Sequence, residues 1–204
     1  MSPLRPFPYR LYFIRHGETD WNVAGRLQGQ MDVPLNGRGR DQAACAGRAL
    51  RSHIGADFAN VIADTDFCAS PMLRACETMK IARAAMGLSP RPFAMDDRLK
   101  EIAFGQWEGM TWAAIKQRDP LGVKERNADK WGFVPPDGES YALLAERVKP
   151  WLESLSGDTI AVSHGGVARV FLTLLAGMDP DVAPAAEIIQ GRVLLFEGGT
   201  STWL

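Results

Sequence analysis

The chain is poor in the residues that build metal centres and cross-links. Its 204 residues include only three histidines and three cysteines. Cys45, Cys68 and Cys76 are odd in number and lie in apolar stretches, so they are expected to be reduced core residues and not a disulfide framework or a zinc set. No HxH, HExxH or CxxC pattern occurs, which argues against a metallohydrolase. A surplus of charge is also missing. The formal net charge is −1, so no overall field draws in nucleic acid or an anionic membrane, and any anion must be held locally. No apolar run approaches the roughly 20 residues of a membrane span. The opening MSPLRPFPYR lacks the apolar core of a signal peptide. These absences predict a cytoplasmic protein with no cofactor, no nucleic acid partner and no membrane partner. Without repeats, low-complexity tracts or a linker, residues 1–204 are expected to form one domain.

What is present is a series of short apolar segments that end abruptly in polar residues. LYFI (11–14) runs into Arg15, His16 and Gly17; DFCAS (66–70) ends on Ser70; TIAVS (159–163) runs into His164. Such runs suit strands buried on both faces of a parallel sheet. Helical patterns lie between them. Residues 36–55 predict a helix with Asn36 as N-cap and Gly55 as terminator. A second is predicted after Ser70, with Ser70 as N-cap, Pro71 at the first helical position and Gly87 as terminator. Further helices are expected over 111–118, over 139–155 and in VARVFLTLLAG, and a last strand or hairpin over 188–196. Residues 1–10 read as a loose lead-in and 17–39 as loop. Residues 119–138, with their prolines and glycines, are expected to cover the site as a mobile segment. Strands alternating with helices predict an α/β fold, a three-layer α/β/α sandwich with a mostly parallel central sheet.

Ligands of open α/β sheets sit beyond the carboxyl ends of the strands. Arg15, His16, Arg74 and His164 are therefore expected in one pocket, although almost 150 positions separate the first from the last. A single histidine at a strand end is ordinarily a hydrogen-bonded structural residue. Arg74, however, falls in the first turn of its helix, where the positive end of the helix dipole disfavours a cation unless an anion lies beside it. Two arginines and two histidines around one cavity suit a phosphate, whose oxygens match the guanidinium fork. His53, on the first long helix, has only a structural reading and serves as a control.

The motif RHGETDWN, followed by RLQGQMDVPLNGRG, SPMLRACET, RLKEIAFGQWEG and SHGG, resembles the histidine phosphatase superfamily, the phosphoglycerate mutase-like family. These five ordered blocks span residues 11 to 166. The resemblance implies a phosphoglycerate mutase-like fold in which His16 is the nucleophile, carrying a transient phosphohistidine. It assigns Arg15, Arg74 and His164 to the equatorial oxygens and Asn22 to an added neutral donor. It makes Glu101 the general acid, since His164 is followed by Gly165 and Gly166 where some members place an acid. Gly17 is expected to admit a close approach of backbone to ligand. Glu18 and Glu108 read as local structural partners, and Trp107 with Phe104 as a shield beside the acid.

Two enzyme readings compete within the resemblance. A phosphoglycerate mutase-type phosphotransferase must exclude water and hold a carboxylate; a phosphatase must admit water. Only 62 residues separate Glu101 from His164, and this stretch lacks the paired arginines of the longer mutases. The small phosphatase branch is therefore favoured: a metal-independent phosphomonoester hydrolase acting on a small phosphorylated metabolite. The outer pocket is assigned to Arg26, Gln28, Lys100 and Trp107. Lys100 stands where arginine often precedes the acid, and Met72 where leucine is common. A reading from another class is a non-catalytic module that binds phosphate or a phosphoprotein; it would ordinarily have lost the nucleophile or the acid, and both are present.

Overall fold

The computed structural model describes residues 7–204. The expected lead-in over 1–10 therefore lies mostly outside the described residues. A six-stranded sheet forms the middle layer, in the order β3-β2-β4-β1-β5-β6. Its strands are β1 (Leu11–Arg15), β2 (Asp66–Ala69), β3 (Ala94–Met95), β4 (Thr159–Ser163), β5 (Val193–Glu197) and β6 (Thr200–Trp203). β3, β2, β4 and β1 run parallel, and β5 and β6 continue antiparallel. The predicted last strand is thus a hairpin that runs on to Trp203.

The period-2 geometry of β1 sorts its side chains cleanly between two cores. Leu11 and Phe13 join Ala161, Leu194 and Phe196 against α7 (Tyr141–Glu153) and α8 (Gly165–Ala176). Tyr12 and Ile14 join Ile160, Val162 and Val193 against α2 (Gly37–Ile54) and α4 (Leu73–Ala85). Burying both faces explains why these strands read as continuous apolar runs. A Cβ at Gly47 of α2 would lie 2.3 Å from Ala82 O of α4, so glycine sets how closely those two helices pack.

Several local expectations are corrected. α2 begins and ends as predicted, with the Asn36 side chain accepting from Gly39 N and Gly55 beyond the last turn. α4 does not start at Ser70. Its N-cap is Met72, and Leu73 N donates to Asp32 Oδ1 at 2.8 Å. A carboxylate from a distant loop thus does the capping, leaving Ser70 Oγ for His164. The 17–39 stretch holds a short helix, α1 (Asp20–Val23), closed by a capping box between Thr19 and Asn22. Cys68 and Cys76 are buried, but Cys45 is exposed on α2, contrary to the core reading. α3 (Phe58–Ala63) was not anticipated, and neither was α6 (Pro120–Ala128). α6 follows α5 (Trp112–Arg118) through Asp119, whose carboxylate accepts from Gly122 N. The 119–138 segment is therefore built around a helix. Its Val123 and Phe133 pack on Trp107 in a small third core that adjoins Leu27 and Phe104.

Candidate active site

Parallel registry brings the site together. Arg15 of β1 lies opposite Ser163 of β4, and Ala69 of β2 opposite Val162. The ladder extends one residue further on each side, with His16 N donating to Ser163 O and Ser70 N to Val162 O, both at 2.9 Å. His16, Ser70 and His164 thus stand side by side at the carboxyl edge, and the rings of His16 and His164 lie 5.2 Å apart. A cavity of about 130 Å³ opens over this edge, lined by Arg15, His16, Arg74 and Glu101 among others.

His16 is 2 % exposed, and its Nδ1 is 2.8 Å from Gly17 O. A carbonyl only accepts, so Nδ1 carries the proton and Nε2 keeps its lone pair for the cavity. Burial, then the charges of Arg74 and Arg15, hold the His16 pKa well below the usual histidine value. His164 is likewise held well below it, by burial first and then by Arg74, His16 and Arg15. Both imidazoles are neutral at neutral pH. Nε2 of His164 pairs with Ser70 Oγ at 2.8 Å.

The arginines are fixed by backbone carbonyls and not by acids. Arg74, fully buried, donates from Nη1 to Met31 O and from Nη2 to Gly29 O, each at 2.8 Å. Arg15 donates from Nη1 to Ile188 O at 2.8 Å. Among the described residues, six buried side-chain polar atoms have no partner within the protein. Four belong to this site: Arg15 Nε, Arg74 Nε, His164 Nδ1 and Gln28 Oε1. Arg15 Nε, Arg74 Nε and, in its Nδ1–H tautomer, His164 Nδ1 are orphaned donors around one small cavity and form a cradle for an oxyanion, since each is costly unless an acceptor meets it, whereas Gln28 Oε1 is an acceptor.

Glu101 enters the cavity from the segment after β3. Its Oε1 accepts from Ile102 N and from Gly166 N, each at 2.9 Å, which sets the carboxyl at the start of α8. A Cβ at Gly166 would lie 2.4 Å from Oε1, so the second glycine of SHGG makes room for the acid. Arg147 of α7 holds the same segment from behind. It donates to the carbonyls of Arg98 (2.6 Å), Lys100 (3.0 Å) and Glu101 (3.3 Å) and pairs with Glu139.

The structure divides the remaining predicted residues. Asn22 lines the cavity, but its Oδ1 is occupied by Thr19 N and Gln190 Nε2, which leaves only the amide nitrogen to donate. Arg26 and Gln28 line the cavity as expected, Arg26 from the rim with Nη1 on Gly109 O. Lys100 does not. It pairs with Asp97 in a neighbouring groove with Gln30 and Asp32. Trp107 is 2 % exposed, stacked on Phe133 and bonded to Asp119, so it belongs to the third core and not to the pocket. Gly17 is required by the packing of the fold itself. A Cβ there would lie 2.1 Å from Gly39 O, at the start of α2, and the Gly17 N–H donates to Thr78 Oγ1. Glu108 bonds Gln30 N and Phe104 N, Glu18 bonds Asn36, and His53 is exposed near the end of α2, its ring set edge-on to Tyr12 at 6.1 Å. Sequence reasoning missed Ser70 as the partner of His164, the Arg147 clamp and Arg169, which also lines the cavity. Arg169 stands one helical turn after Gly165, the one signal that would have placed it over the strand tips.

The family model for the histidine phosphatase superfamily (branch 1) matches residues 11–203. The chain belongs to that superfamily. Within it, a glucosyl-3-phosphoglycerate phosphatase of Mycolicibacterium vanbaalenii is 30% identical over 86% of this chain and 77% of its own. A 2,3-bisphosphoglycerate-dependent phosphoglycerate mutase of Beijerinckia indica is 29% identical over 91% of this chain and 90% of its own. A solved mycobacterial glucosyl-3-phosphoglycerate phosphatase, in complex with VO3, superposes with a TM-score of 0.77 at 27% identity, covering 96% of each chain. The superfamily fold and the three-layer sandwich described above are therefore the same architecture. No described helix is long and apolar enough to cross a membrane.

Proposed function

We propose that the chain is a metal-independent phosphomonoester hydrolase that works through a phosphohistidine at His16. One observation carries the reading: His16 Nδ1 is committed to Gly17 O in a cavity lined by Arg15 and Arg74, which leaves Nε2 as the nucleophile. Nε2 attacks phosphorus as the ester P–O bond breaks, and the leaving oxygen takes the Glu101 proton. The imidazole becomes positively charged, and Gly17 O stabilises that charge through the Nδ1 proton. Arg15 and Arg74 hold the equatorial oxygens, where negative charge lies in the in-line transition state. His164 adds a contact through Nδ1 if it takes the tautomer that donates there and accepts from Ser70. Ionised Glu101 then takes a proton from water; the hydroxide attacks phosphorus, the N–P bond breaks, and inorganic phosphate leaves with Glu101 protonated again.

The substrate class is a small phosphorylated metabolite, supported by the size of the cavity and by relatives whose names specify phosphoglycerate esters. Hydrolysis is favoured over phosphotransfer by the short interval between Glu101 and His164. The reading includes one domain over 1–204 and a cytoplasmic enzyme, which suits the free thiols of Cys45, Cys68 and Cys76. A divalent cation would meet Arg15 and Arg74 at the cavity, so EDTA should leave turnover intact. The test is phosphate release from an aryl phosphate and from alkyl phosphates with EDTA present, comparing wild type with His16→Ala. Release by wild type alone, with acid-labile label trapped on the protein by rapid quench, is the expected result. Activity retained by His16→Ala would overturn the assignment.

A further inference from the structure

The segment between α8 and β5 braces the site from behind, through every second residue of 186–190. Ala186 O accepts from Arg169 Nε at 3.0 Å, and Ile188 O accepts from Arg15 Nη1 at 2.8 Å. At Gln190 the side chain takes over. Its Nε2 donates to His16 O at 3.0 Å and to Asn22 Oδ1 at 3.3 Å, so both amide hydrogens are spent on the site. Gln190 is half-buried and does not line the cavity. Gly191, at φ +81°, makes the turn that follows, and a Cβ there would lie 3.2 Å from the Gln42 side chain of α2. The peptide that Gln190 holds is the one joining His16 to Gly17. Its N–H donates to Thr78 Oγ1 of α4 at 3.1 Å, and that buried hydroxyl donates in turn to Arg74 O at 2.8 Å. One rigid peptide plane is thus gripped at its carbonyl from the β5 side and at its amide from α4.

The grip matters because of what hangs from that plane. Gly17 has no Cβ to restrict its φ and ψ, and its carbonyl is the group that keeps the proton on His16 Nδ1. Were the 16–17 peptide free to turn, Gly17 O would leave Nδ1 and the ring proton would be free to settle on Nε2, which then has no lone pair for phosphorus. We propose that Gln190 is a positioning residue for the nucleophile: with Thr78 it clamps the His16–Gly17 peptide and so selects the Nδ1–H tautomer of His16. The same amide helps to hold Asn22 Oδ1 away from the cavity, which leaves the Asn22 nitrogen to face it. Gln190 lies beyond the five motif blocks, and nothing in the sequence around it marks it as part of the site. The consequence for catalysis rests on the phosphatase reading of His16; the tautomer itself does not.

With only three histidines, the tautomers can be read directly by labelling the ring nitrogens and recording long-range proton–nitrogen correlations at pH 7.5 in a phosphate-free buffer. Wild type should show His16 as the Nδ1–H form alone. Gln190→Met keeps the bulk of the side chain and loses both donors; it should bring in the Nε2–H form of His16 and leave the His164 signals where they are. Thr78→Val, which removes only the hydroxyl, should do the same, and Thr78→Ser should restore the wild-type spectrum. Phosphoenzyme formation from an aryl phosphate, followed by rapid quench, should slow by about two- to tenfold in Gln190→Met, the value of a neutral hydrogen bond, with substrate affinity unchanged. If Thr78→Val does not fold, half-buried Gln190→Met decides alone. An Nε2–H form in wild type, or a pure Nδ1–H form in Gln190→Met, overturns the clamp. So does a shift of His164 as large as that of His16, or a lowered urea midpoint with tautomer and phosphorylation rate unchanged, since either result describes a hydrogen bond that serves the fold only. If wild type forms no phosphoenzyme, the phosphatase reading falls by itself, and the tautomer measurement still decides the clamp.

Discussion

Acid should destabilise this protein from a pH at which its carboxylates are still ionised, and the cause should be His16 and His164. Each is at most 2 % exposed, and each is held neutral by burial and by the arginines beside it. In the unfolded chain both return to the ordinary histidine pKa of about 6.5. The sign follows from proton counting. Above about pH 6.5 neither state binds the proton and stability is flat. As pH falls below it, the unfolded state takes up two protons that the native state refuses, so unfolding is favoured. Each unmatched proton is worth up to about 1.4 kcal/mol per pH unit, and the pair up to about 2.7 kcal/mol per unit. For a domain whose total stability is about 5–15 kcal/mol, that is a large slope. Asp96, held low chiefly by its hydrogen bond to Arg98, begins to matter only nearer the carboxylate range, so the windows separate.

The measurement is urea unfolding at pH 7.5, 6.5 and 5.5 in a buffer free of phosphate. His16→Gln and His164→Gln should each remove about half of the slope between the two lower pH values, whatever they do to stability at pH 7.5. His53→Gln, at an exposed position, should leave it unchanged. The same slope in wild type and in the His16→Gln, His164→Gln double variant would refute the reasoning, because the cost would then come from other groups. The link to chemistry is direct: a His16 that resists protonation keeps its lone pair available in mildly acidic solution.

Glu101→Gln should slow alkyl phosphates by about 10²–10⁴-fold, the usual worth of a general acid, and aryl phosphates far less. Arg147→Ala, which frees the carbonyls of Arg98, Lys100 and Glu101, should reproduce that leaving-group dependence in weaker form, with partial rescue by added guanidinium; equal losses on both ester types would remove the positioning role. Gly17→Ala should destabilise the fold by about 1–3 kcal/mol, because the new Cβ meets the backbone of Gly39, which cannot swing away. An unchanged urea midpoint would contradict that contact.

What was legible in the sequence was whatever is decided by neighbours along the chain. LYFI running into Arg15 and His16 announces a buried strand and its polar tip, and TIAVS with His164 does the same; registry then obliges them to meet. The errors arise where distant residues decide. Ser70-Pro71 has the form of a helix start, yet Asp32 caps α4 and Ser70 turns to His164, a partner 94 positions away. Trp107 follows the acid closely in sequence, but α6 and Phe133 draw it into the third core. α6 itself was obscured because PLGVKERNA buries only Gly122 and Val123, too narrow a stripe to show a helical period. Lys100 precedes Glu101, and in an extended segment adjacent side chains point apart, so the two fall in different cavities.

The placement of charge suits one small site to both the binding and the attack proposed above. Arginine keeps its proton when buried, so Arg15 and Arg74 supply fixed positive charge, each anchored through carbonyl groups that leave Nε to face an oxyanion. Histidine surrenders its proton when buried among cations, so the same surroundings that suit an oxyanion keep the Nε2 lone pair of His16 available for the attack proposed above. An acid paired with either arginine would weaken both effects. Glu101 instead takes its hydrogen bonds from Ile102 N and Gly166 N, which hold its carboxyl without neutralising a guanidinium. Restraining the acid with backbone donors therefore leaves the arginine charge available to the ligand, and the glycine at 166 is what permits it.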